Sequence, residues 1–411
     1  MNLSSVYPFF VLPLEAGLEF DRAHEEQFFA SIPQHAGVFV VETRAVSDAA
    51  ATKPHLGRTA DLRRAAERLL RPPDATSKRL NLREVATKFS FRATGSRFEQ
   101  SFVLYHQARE RFPKTFRIFL RMRPPALLKI SLRNSYPRCY VTRRIVRDGG
   151  YNFGPFVSRQ AAEAFANEFL DLFKIRRCQI KIRRDPSFPG CIYSEMKMCL
   201  APCFAGCTKE EYDAEVGRVV ETLESGGAFL TGAIEREREA ASETTDFERA
   251  AALHKKLDKV NGVLRGLPGI ARRIDGLNAV ILQRAARDKT VAIFTIANGL
   301  IAAPFFMCFD ESSQPRSVEA VLRRNFEESQ SKEAAQGEPH DRMPEGRLGE
   351  PGSRPERFDL RGDAAEREEH LSLLARWFYS KPRAGEILFR DADWPYRKIL
   401  RACARVLATG G

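Results

Sequence analysis

The sequence lacks an apolar run long enough to cross a membrane, although apolar residues make up 43% of its 411 residues. It also lacks a signal peptide, because the apolar patch in MNLSSVYPFFVLPLEAGLEF has neither a basic segment before it nor a small-residue cleavage site after it. We therefore expect a cytoplasmic protein without a membrane segment. Thiols stay reduced in the cytoplasm, so a cysteine cluster there binds a metal more often than it forms disulfides.

The charge is unbalanced toward basic residues. Lysine and arginine together number 66 against 53 acidic residues, and the formal net charge is +13. Nucleic acid is the simplest partner for such a chain, because basic side chains that neutralise phosphates release bound counterions. A solvated basic surface would give the same net charge, so the charge alone does not identify the partner. The length allows about two to four domains, each with its own core.

Five of the eight cysteines lie in one stretch, Arg177 to Cys207. Four thiolates that converge can bind tetrahedral zinc or an iron–sulfur cluster. The alternatives are buried thiols without a metal and, less favoured in the cytoplasm, disulfides. Cys207 is a fifth candidate beside the pattern C-x12-C-x7-C-x3-C, which is formed by Cys178, Cys191, Cys199 and Cys203.

The first third of the chain predicts a small α/β domain over about 30–147. Its apolar and alternating stretches predict strands, a basic amphipathic helix follows His55-Leu56-Gly57, and two further helices are expected at 78–87 and Phe98–Arg109. The predicted strands are Gly37–Val41, Lys88–Arg92, Leu127–Ser131 and Arg138–Thr142.

The middle of the chain predicts helices around the cysteines. Ser158 is an N-cap for a helix that extends to Phe173, and Thr208-Lys-Glu-Glu is a capping box for a helix that ends at the glycine pair 226–227. We expect a cysteine-containing helical region over 148–227. Two further helices, Ile234–Ser242 and Asp246–Val263, predict an α-helical hairpin over 228–266 with one apolar face.

The last part predicts a β-rich α+β module over 270–411. Three strands are expected between residues 275 and 309, with turns at 287–289 and 298–299, and a helix at His370–Tyr379. The polar, proline-containing stretch at about 327–357 predicts a disordered insert. The complete prediction is an α/β multidomain protein.

Four stretches, taken in order, resemble the UvrC family of the ABC excinuclease. They are PQHAGVFVVE with HLGRTADLRR, then YPRCYVTRRIVRDGGYNFGPF, then the four cysteines with CLAPC, then DFERAAALHKKLDKV. The resemblance implies a GIY-YIG-type nuclease domain, a cysteine-cluster region, a UVR-type hairpin that binds the UvrB protein, and a role in nucleotide excision repair. SKPRAGEILF resembles the family's link to an RNase H-like domain and helix-hairpin-helix motifs, which the sequence ending at Gly411 leaves out, so we expect a shortened member.

The resemblance assigns five catalytic positions to the first domain, where the family has two tyrosines, an arginine, a glutamate and an asparagine. The last two are placed by matching FRIFL (116–120) to a family strand. Without the glutamate the Mg²⁺ site is lost, so we expect incision by this chain to be impaired. The five positions fall on Phe39, His55, Ala65, Tyr105 and Arg117.

Two alternatives remain open at this point. An altered site that uses His55 with Glu99 or Glu110 and Mg²⁺ would make the chain an active nuclease that cuts once. The other alternative is a regulator outside repair, a metal-bearing protein that binds nucleic acid.

The resemblance also implies ligands and partner contacts. A [4Fe–4S] cluster, with zinc as the alternative, would be held by Cys178, Cys191, Cys199 and Cys203. Phosphate contacts with DNA are expected from Arg58, Arg63, Arg64, Arg143 and Arg144. The contact with a UvrB-like protein is expected at Phe247, Glu248, Ala251 and Leu253.

Overall fold

The computed structural model describes residues 12–44, 53–73, 76, 78–146, 148–309, 319–326 and 363–408. The predicted disordered insert at about 327–357 lies outside these residues. Within them, no helix combines the length and the apolar character that a membrane span requires. Helices and antiparallel sheets alternate along the chain, so the α/β multidomain prediction is confirmed.

The first domain is a four-stranded antiparallel sheet in the order β1-β4-β2-β3, with helices on both faces. Residues 37–41 of the central strand β2 are apolar and buried because their side chains alternate between two cores. Phe39 and Val41 pack with α1 and α2, whereas Val38 and Val40 pack with α3. The elements are β1 (Ala16–Glu19), α1 (Glu25–Ser31), β2 (Gly37–Thr43), β3 (His55–Thr59), α2 (Leu62–Leu70), β4 (Ala86–Ala93) and α3 (Arg97–Arg111).

One predicted helix of this domain, 78–87, is wrong. Residues 78–85 are irregular and Ala86 begins β4. The backbone N–H of Leu82 donates to the carbonyl of Leu69, and Arg83 donates to the carbonyl of Leu70 and forms an ion pair with Glu25. These contacts with neighbouring helices outweigh the local helix propensity.

The middle domain begins earlier than predicted. β5 (Ala126–Ser131) and β6 (Arg138–Thr142) form one antiparallel sheet with β7 (Tyr151–Phe156) and β8 (Arg272–Arg273), in the order β6-β5-β7-β8. A boundary at residue 147 would divide this sheet, so the first domain ends before Ala126. It also starts before residue 30, since β1 pairs with β4.

Helices cover the middle sheet as the capping residues predict. The Ser158 hydroxyl caps α5 (Arg159–Leu170), and Thr208 with Glu211 forms a capping box at the start of α7 (Lys209–Glu224). Two short helices occupy the connections, α4 (Phe116–Phe119) before the sheet and α6 (Ile192–Glu195) in the cysteine loop.

The helical hairpin consists of α8 (Ala228–Glu243) and α9 (Phe247–Leu264). Gly227 begins the hairpin with φ of 101°, and a Cβ there would lie 2.3 Å from Leu264, so only glycine fits. Leu230 and Ile234 of α8, together with the inner face of α9, belong to the same core as α5 and α7. The hairpin is therefore packed on the middle domain.

The C-terminal module has an antiparallel sheet between two helical layers. The turns lie where predicted, but the third predicted strand is divided in two, which gives β9 (Ala279–Arg284), β10 (Thr290–Ala297), β11 (Leu300–Ile301) and β12 (Phe305–Cys308). β13 (Glu386–Phe389) pairs with β9. The helix α10 (Asp363–Phe378), which contains the predicted helix at 370–379 except its last residue, packs on one face. The helix α11 (Tyr396–Ala408) and helical residues 319–326 pack on the other.

The C-terminal module also packs against the first domain, through α10 and α3. Phe98 of α3 lies 5.4 Å from Trp377 of α10 and 4.9 Å from Phe294 of β10, measured between ring centroids. Beside these rings, Glu369 is 5% exposed and its two carboxylate oxygens are both bound. The Tyr105 hydroxyl donates to one oxygen at 2.6 Å, and Arg117 donates to the other at 2.6 and 2.7 Å. We name these three residues the Glu369 clamp.

The clamp predicts a measurable effect on stability. Glu369→Ala should lower the free energy of unfolding by about 2 kcal/mol, because it leaves the buried Tyr105 hydroxyl without its acceptor. A larger loss is not expected, since Arg117 is 57% exposed and can return to water. Urea denaturation measures the difference, with Glu235→Ala on the exposed face of α8 as the control. Equal stability of the two variants would contradict this interpretation of the interface.

Candidate functional site

Phe39, the first catalytic position, is part of the core of the first domain. It is 2% exposed and its ring stacks on Phe89 with centroids 5.4 Å apart. On the neighbouring strand β3, a Cβ at Gly57 would lie 2.6 Å from the Phe39 ring, so this glycine admits the ring. Phe39 has a packing role and no polar atom to offer to a reaction.

His55, the second position, borders an open groove on the first domain. Its pKa is lowered, first by partial burial and then by Arg68, so the imidazole is neutral near pH 7 and able to accept a proton. The acidic side chains along this groove are both occupied. Asp61 caps α2 by accepting the Arg64 N–H at 3.0 Å, and Glu67 forms an ion pair with Arg71 at 3.2 Å.

The other three catalytic positions offer no reactive group to this groove. Ala65 lines the groove, but it is 3% exposed and its methyl group packs in the core beside α2. Tyr105 and Arg117 belong to the Glu369 clamp, and burial raises the pKa of Tyr105 far above its usual value. The segment FRIFL, which the resemblance matches to a strand, forms the short helix α4 instead. That prediction is wrong because Thr115 and Phe116 begin a helical turn directly after α3.

The altered site that would pair His55 with another carboxylate does not assemble in the described structure. Glu99 is 1% exposed and accepts the Gly95 N–H at 2.8 Å, and its burial raises its pKa to about 7. Glu110 borders a different groove and forms an ion pair with Arg111. Among the described residues, no three histidine, cysteine or acidic side chains are grouped so as to hold a metal ion.

The predicted DNA-binding arginines divide into two groups. Arg58, Arg64, Arg143 and Arg144 are exposed. Arg63 instead donates to the carbonyls of Ile32 at 2.8 Å and Ala30 at 3.0 Å, which satisfies backbone groups at the end of α1. Its role is therefore structural, and it is a poor candidate for a phosphate contact.

Arg58 also borders a cleft between the first domain and the C-terminal module. We name it the interdomain cleft, and its volume is about 430 Å³. Arg121 and Arg376, which sequence reasoning missed, share it, because no sequence pattern links positions so far apart in the chain. The lining residues are Gly57, Arg58, Ser101, Leu104, Phe119, Leu120, Arg121, Leu373 and Arg376.

The cysteine loop brings four thiols within electrostatic range of one another. Burial raises the pKa of Cys199 to about 11, and smaller contributions come from Cys178, Cys191 and Cys203. The loop is held by backbone hydrogen bonds, including those from Asp185 to Cys203 and from Leu200 to Lys174.

This donor set fits a thiolate-bound metal group in its chemistry, although the described side chains do not form a closed coordination group. The fifth thiol differs from the other four. Cys207 is 5% exposed and packs in the core of the middle domain with Tyr212 and Val216. Burial raises the pKa of the Cys207 thiol, with smaller contributions from Glu211, Arg184 and Cys203. Cys207 thus behaves as a core residue.

The residues predicted to contact a partner differ in exposure within the hairpin. Phe247 is 70% exposed at the start of α9, and Glu248 and Ala251 are exposed beside it. Leu253 is 8% exposed and points into the core that joins the hairpin to the middle domain. A partner could reach the first three residues without any rearrangement, whereas Leu253 supports the hairpin from inside.

Residues 126–222 match the family model described as the middle domain of UvrC/Cho excinucleases. The match begins at the first residue of β5 and ends in α7, so it covers three of the four strands of the middle sheet and the cysteine loop. This match relates the middle domain of the chain to excinucleases.

The relatives that the chain resembles are named UvrABC system protein C. The relative from Moorella thermoacetica is 25% identical over 304 residues, which are 73% of this chain and 48% of the relative. The relative from Carboxydothermus hydrogenoformans is 32% identical over 164 residues, 40% of this chain and 27% of the relative. The chain therefore spans about half the length of its curated relatives or less. No solved structure matches it. Residues 126–222 therefore belong to the middle-domain family of the UvrC/Cho excinucleases.

Proposed function

We propose that this chain is a UvrC-like protein of nucleotide excision repair that binds DNA and a UvrB-like protein, and that its first domain does not cut DNA. The observation that carries the loss of incision is the occupation of the catalytic positions. Phe39 and Ala65 are core residues, and Tyr105 and Arg117 bind Glu369. His55 is the one of the five that retains a reactive group toward an open groove.

Hydrolysis of a phosphodiester at such a site requires a base, a divalent ion held by a carboxylate, and a cation that faces the phosphate. His55 can supply the base, and Arg64 and Arg68 along the same groove can supply the cation. The carboxylate is the missing component, since Asp61 caps the start of α2 and Glu67 forms an ion pair with Arg71 directly after this helix. The groove therefore retains what is needed to bind a DNA backbone and loses what is needed to cut it.

A nicking assay tests this proposal. Damaged duplex DNA incubated with UvrA, UvrB, Mg²⁺ and this chain should show no incision above background, because no carboxylate is available to hold the ion. His55→Ala should leave that result unchanged. The UvrABC system protein C of Moorella thermoacetica, tested in the same reaction, is the positive control. Incision that His55→Ala abolishes would instead establish the alternative, a nuclease that cuts once with an altered site.

We also propose that Cys178, Cys191, Cys199 and Cys203 hold a metal group, with a [4Fe–4S] cluster preferred to zinc. Four thiols with mutual electrostatic influence support this proposal, since thiolate ligands suit both groups. When bound, the group would cross-link four points of an otherwise irregular loop and contribute its binding energy to folding. The apolar surroundings of Cys207 favour a packing role for the fifth thiol.

Metal analysis of protein purified without oxygen tests the cysteine assignment. The wild-type chain should be brown and contain iron and acid-labile sulfide, because four thiolates complete the ligand set. Cys199→Ser should lose both, whereas Cys207→Ser should retain them. A colourless protein that contains zinc would refute the iron–sulfur cluster but would still agree with the four cysteines as ligands. Equal metal loss in the two variants would contradict the distinction between them.

The exposed end of the hairpin is the proposed contact with a UvrB-like protein. Phe247 is a large apolar side chain left in water, with Glu248 and Ala251 next to it on the same surface. Exposed aromatic residues of this kind are common anchors of protein interfaces. Leu253 contributes indirectly, because it packs α9 against the middle domain.

A comparison of two hairpin variants separates contact from support. Phe247→Ala should weaken binding of UvrB by about tenfold or more while leaving thermal stability unchanged, as expected for an interface anchor. Leu253→Ala should lower the free energy of unfolding by about 2 to 3 kcal/mol through the cavity it creates. Phe229→Ala, which removes a partly exposed ring from α8, is the matched control. Failure of the wild-type chain to bind UvrB would favour the alternative of a regulator outside repair.

A further inference from the structure

The interdomain cleft is formed by two parts of the chain that the Glu369 clamp holds together. Arg58 and Ser101 line it from the first domain, and Leu373 and Arg376 line it from α10. The clamp residue Glu369 lies two turns before Arg376 on the same helix. The volume of about 430 Å³ is within the range of small-ligand sites, which is roughly 300–1,000 Å³.

The charged side chains that line the cleft are all basic. No carboxylate is among its lining residues, and Arg58, Arg121 and Arg376 form no ion pair with any carboxylate in the described part of the chain. Two of the guanidinium groups are held by neutral acceptors. Arg376 donates to the carbonyls of Leu120 at 3.3 Å and Arg121 at 3.1 Å, and Arg58 donates to the Ser101 hydroxyl at 3.3 Å.

The charge of Arg58 also acts on the guanidinium group of Arg376. The pKa of Arg376 is lowered, first by partial burial and then by the charge of Arg58. The fold thus keeps like charges near each other without a counterion from the protein. An anion placed between them would relieve this repulsion and could accept hydrogen bonds from both forks, as phosphate does.

The cleft also has an apolar lining. Leu104, Leu120 and Leu373 contribute to it, and the Phe119 ring, which also lines the cleft, is 49% exposed. Phe112 supports this ring from behind, with centroids 5.9 Å apart. Exposed aromatic rings beside arginines are the recurrent elements of sites for unpaired nucleotides, where the ring stacks on a base and the arginines bind the backbone.

We propose that the interdomain cleft binds one nucleotide of an unpaired nucleic-acid strand, with its phosphate between Arg58 and Arg376 and its base on Phe119. This inference rests on the proposed binding of DNA and names the part of the chain that receives a single strand. The lining combines arginines for a phosphate with an exposed ring and apolar side chains for a base, and it contains no carboxylate.

Fluorescence anisotropy of the full chain with a labelled oligothymidine strand, and with a duplex of equal length, tests the cleft. Arg376→Ala should weaken binding of the single strand by about tenfold, the size expected for one charge-assisted contact with phosphate. Phe119→Ala should weaken it by about tenfold through lost stacking and should leave duplex binding nearly unchanged. Arg265→Ala, which removes an exposed arginine at the end of α9, controls for the loss of one charge.

Two milder variants keep the test valid if the alanine variants fold poorly. Arg376→Lys keeps the charge without the planar fork and should bind the strand more weakly than the wild type, while Phe119→Trp should bind it at least as tightly. If the wild-type chain binds DNA and the Arg376→Ala and Phe119→Ala variants bind the strand as tightly as Arg265→Ala, the proposed cleft site is wrong. The proposed DNA binding would then stand. Equal losses for strand and duplex in Phe119→Ala would overturn base stacking. A wild-type chain that binds neither probe would refute both proposals.

Discussion

The burial of the Glu369 carboxylate is the constraint on which the arrangement of the first domain and the C-terminal module depends. A carboxylate withdrawn from water is costly unless every acceptor site is used, and here Tyr105 and Arg117 bind one oxygen each. Both donors come from the first domain and the acceptor from α10. These polar contacts fix the position of α10 on the first domain, beside the apolar contact of Phe98 with Trp377. The interdomain cleft is formed by the two parts that this contact holds together.

The same clamp connects the fold to the proposed loss of incision. Tyr105 and Arg117 are the positions where the family resemblance places a metal-binding glutamate and an asparagine. A side chain that binds Glu369 inside an interface cannot also hold an ion at an open site. The two positions therefore serve the contact between domains, and the proposed function of the first domain is reduced to binding. Its exposed arginines, Arg58 and Arg64, remain compatible with that role.

The sequence predicted correctly those helices and strands that are determined by neighbouring residues in the chain. The apolar run of β2 and the capping box at Thr208 give their strand and helix directly. The prediction failed where distant contacts decide, as in residues 78–85, where Arg83 contacts Leu70 and Glu25. The candidate site divides in the same way. The cysteine spacing is readable from the sequence, whereas the structural role of Arg63 and the presence of Arg376 beside Arg58 depend on how separate parts of the chain pack.

The cysteine loop bears on the proposed partner contact, whereas the Glu369 clamp bears on the proposed loss of incision. The middle sheet, α5, α7 and the hairpin share one continuous core, and Cys207 lies in it while Cys178, Cys191 and Cys199 lie at its partly exposed edge. A metal group on the loop would therefore brace the edge of the core on which the hairpin is packed. It would act on partner binding through the rigidity of that support, since the exposed Phe247 can present a fixed surface only if Leu253 and Leu257 remain packed below it. On this argument the proposed metal group would be a structural element of the proposed UvrB contact.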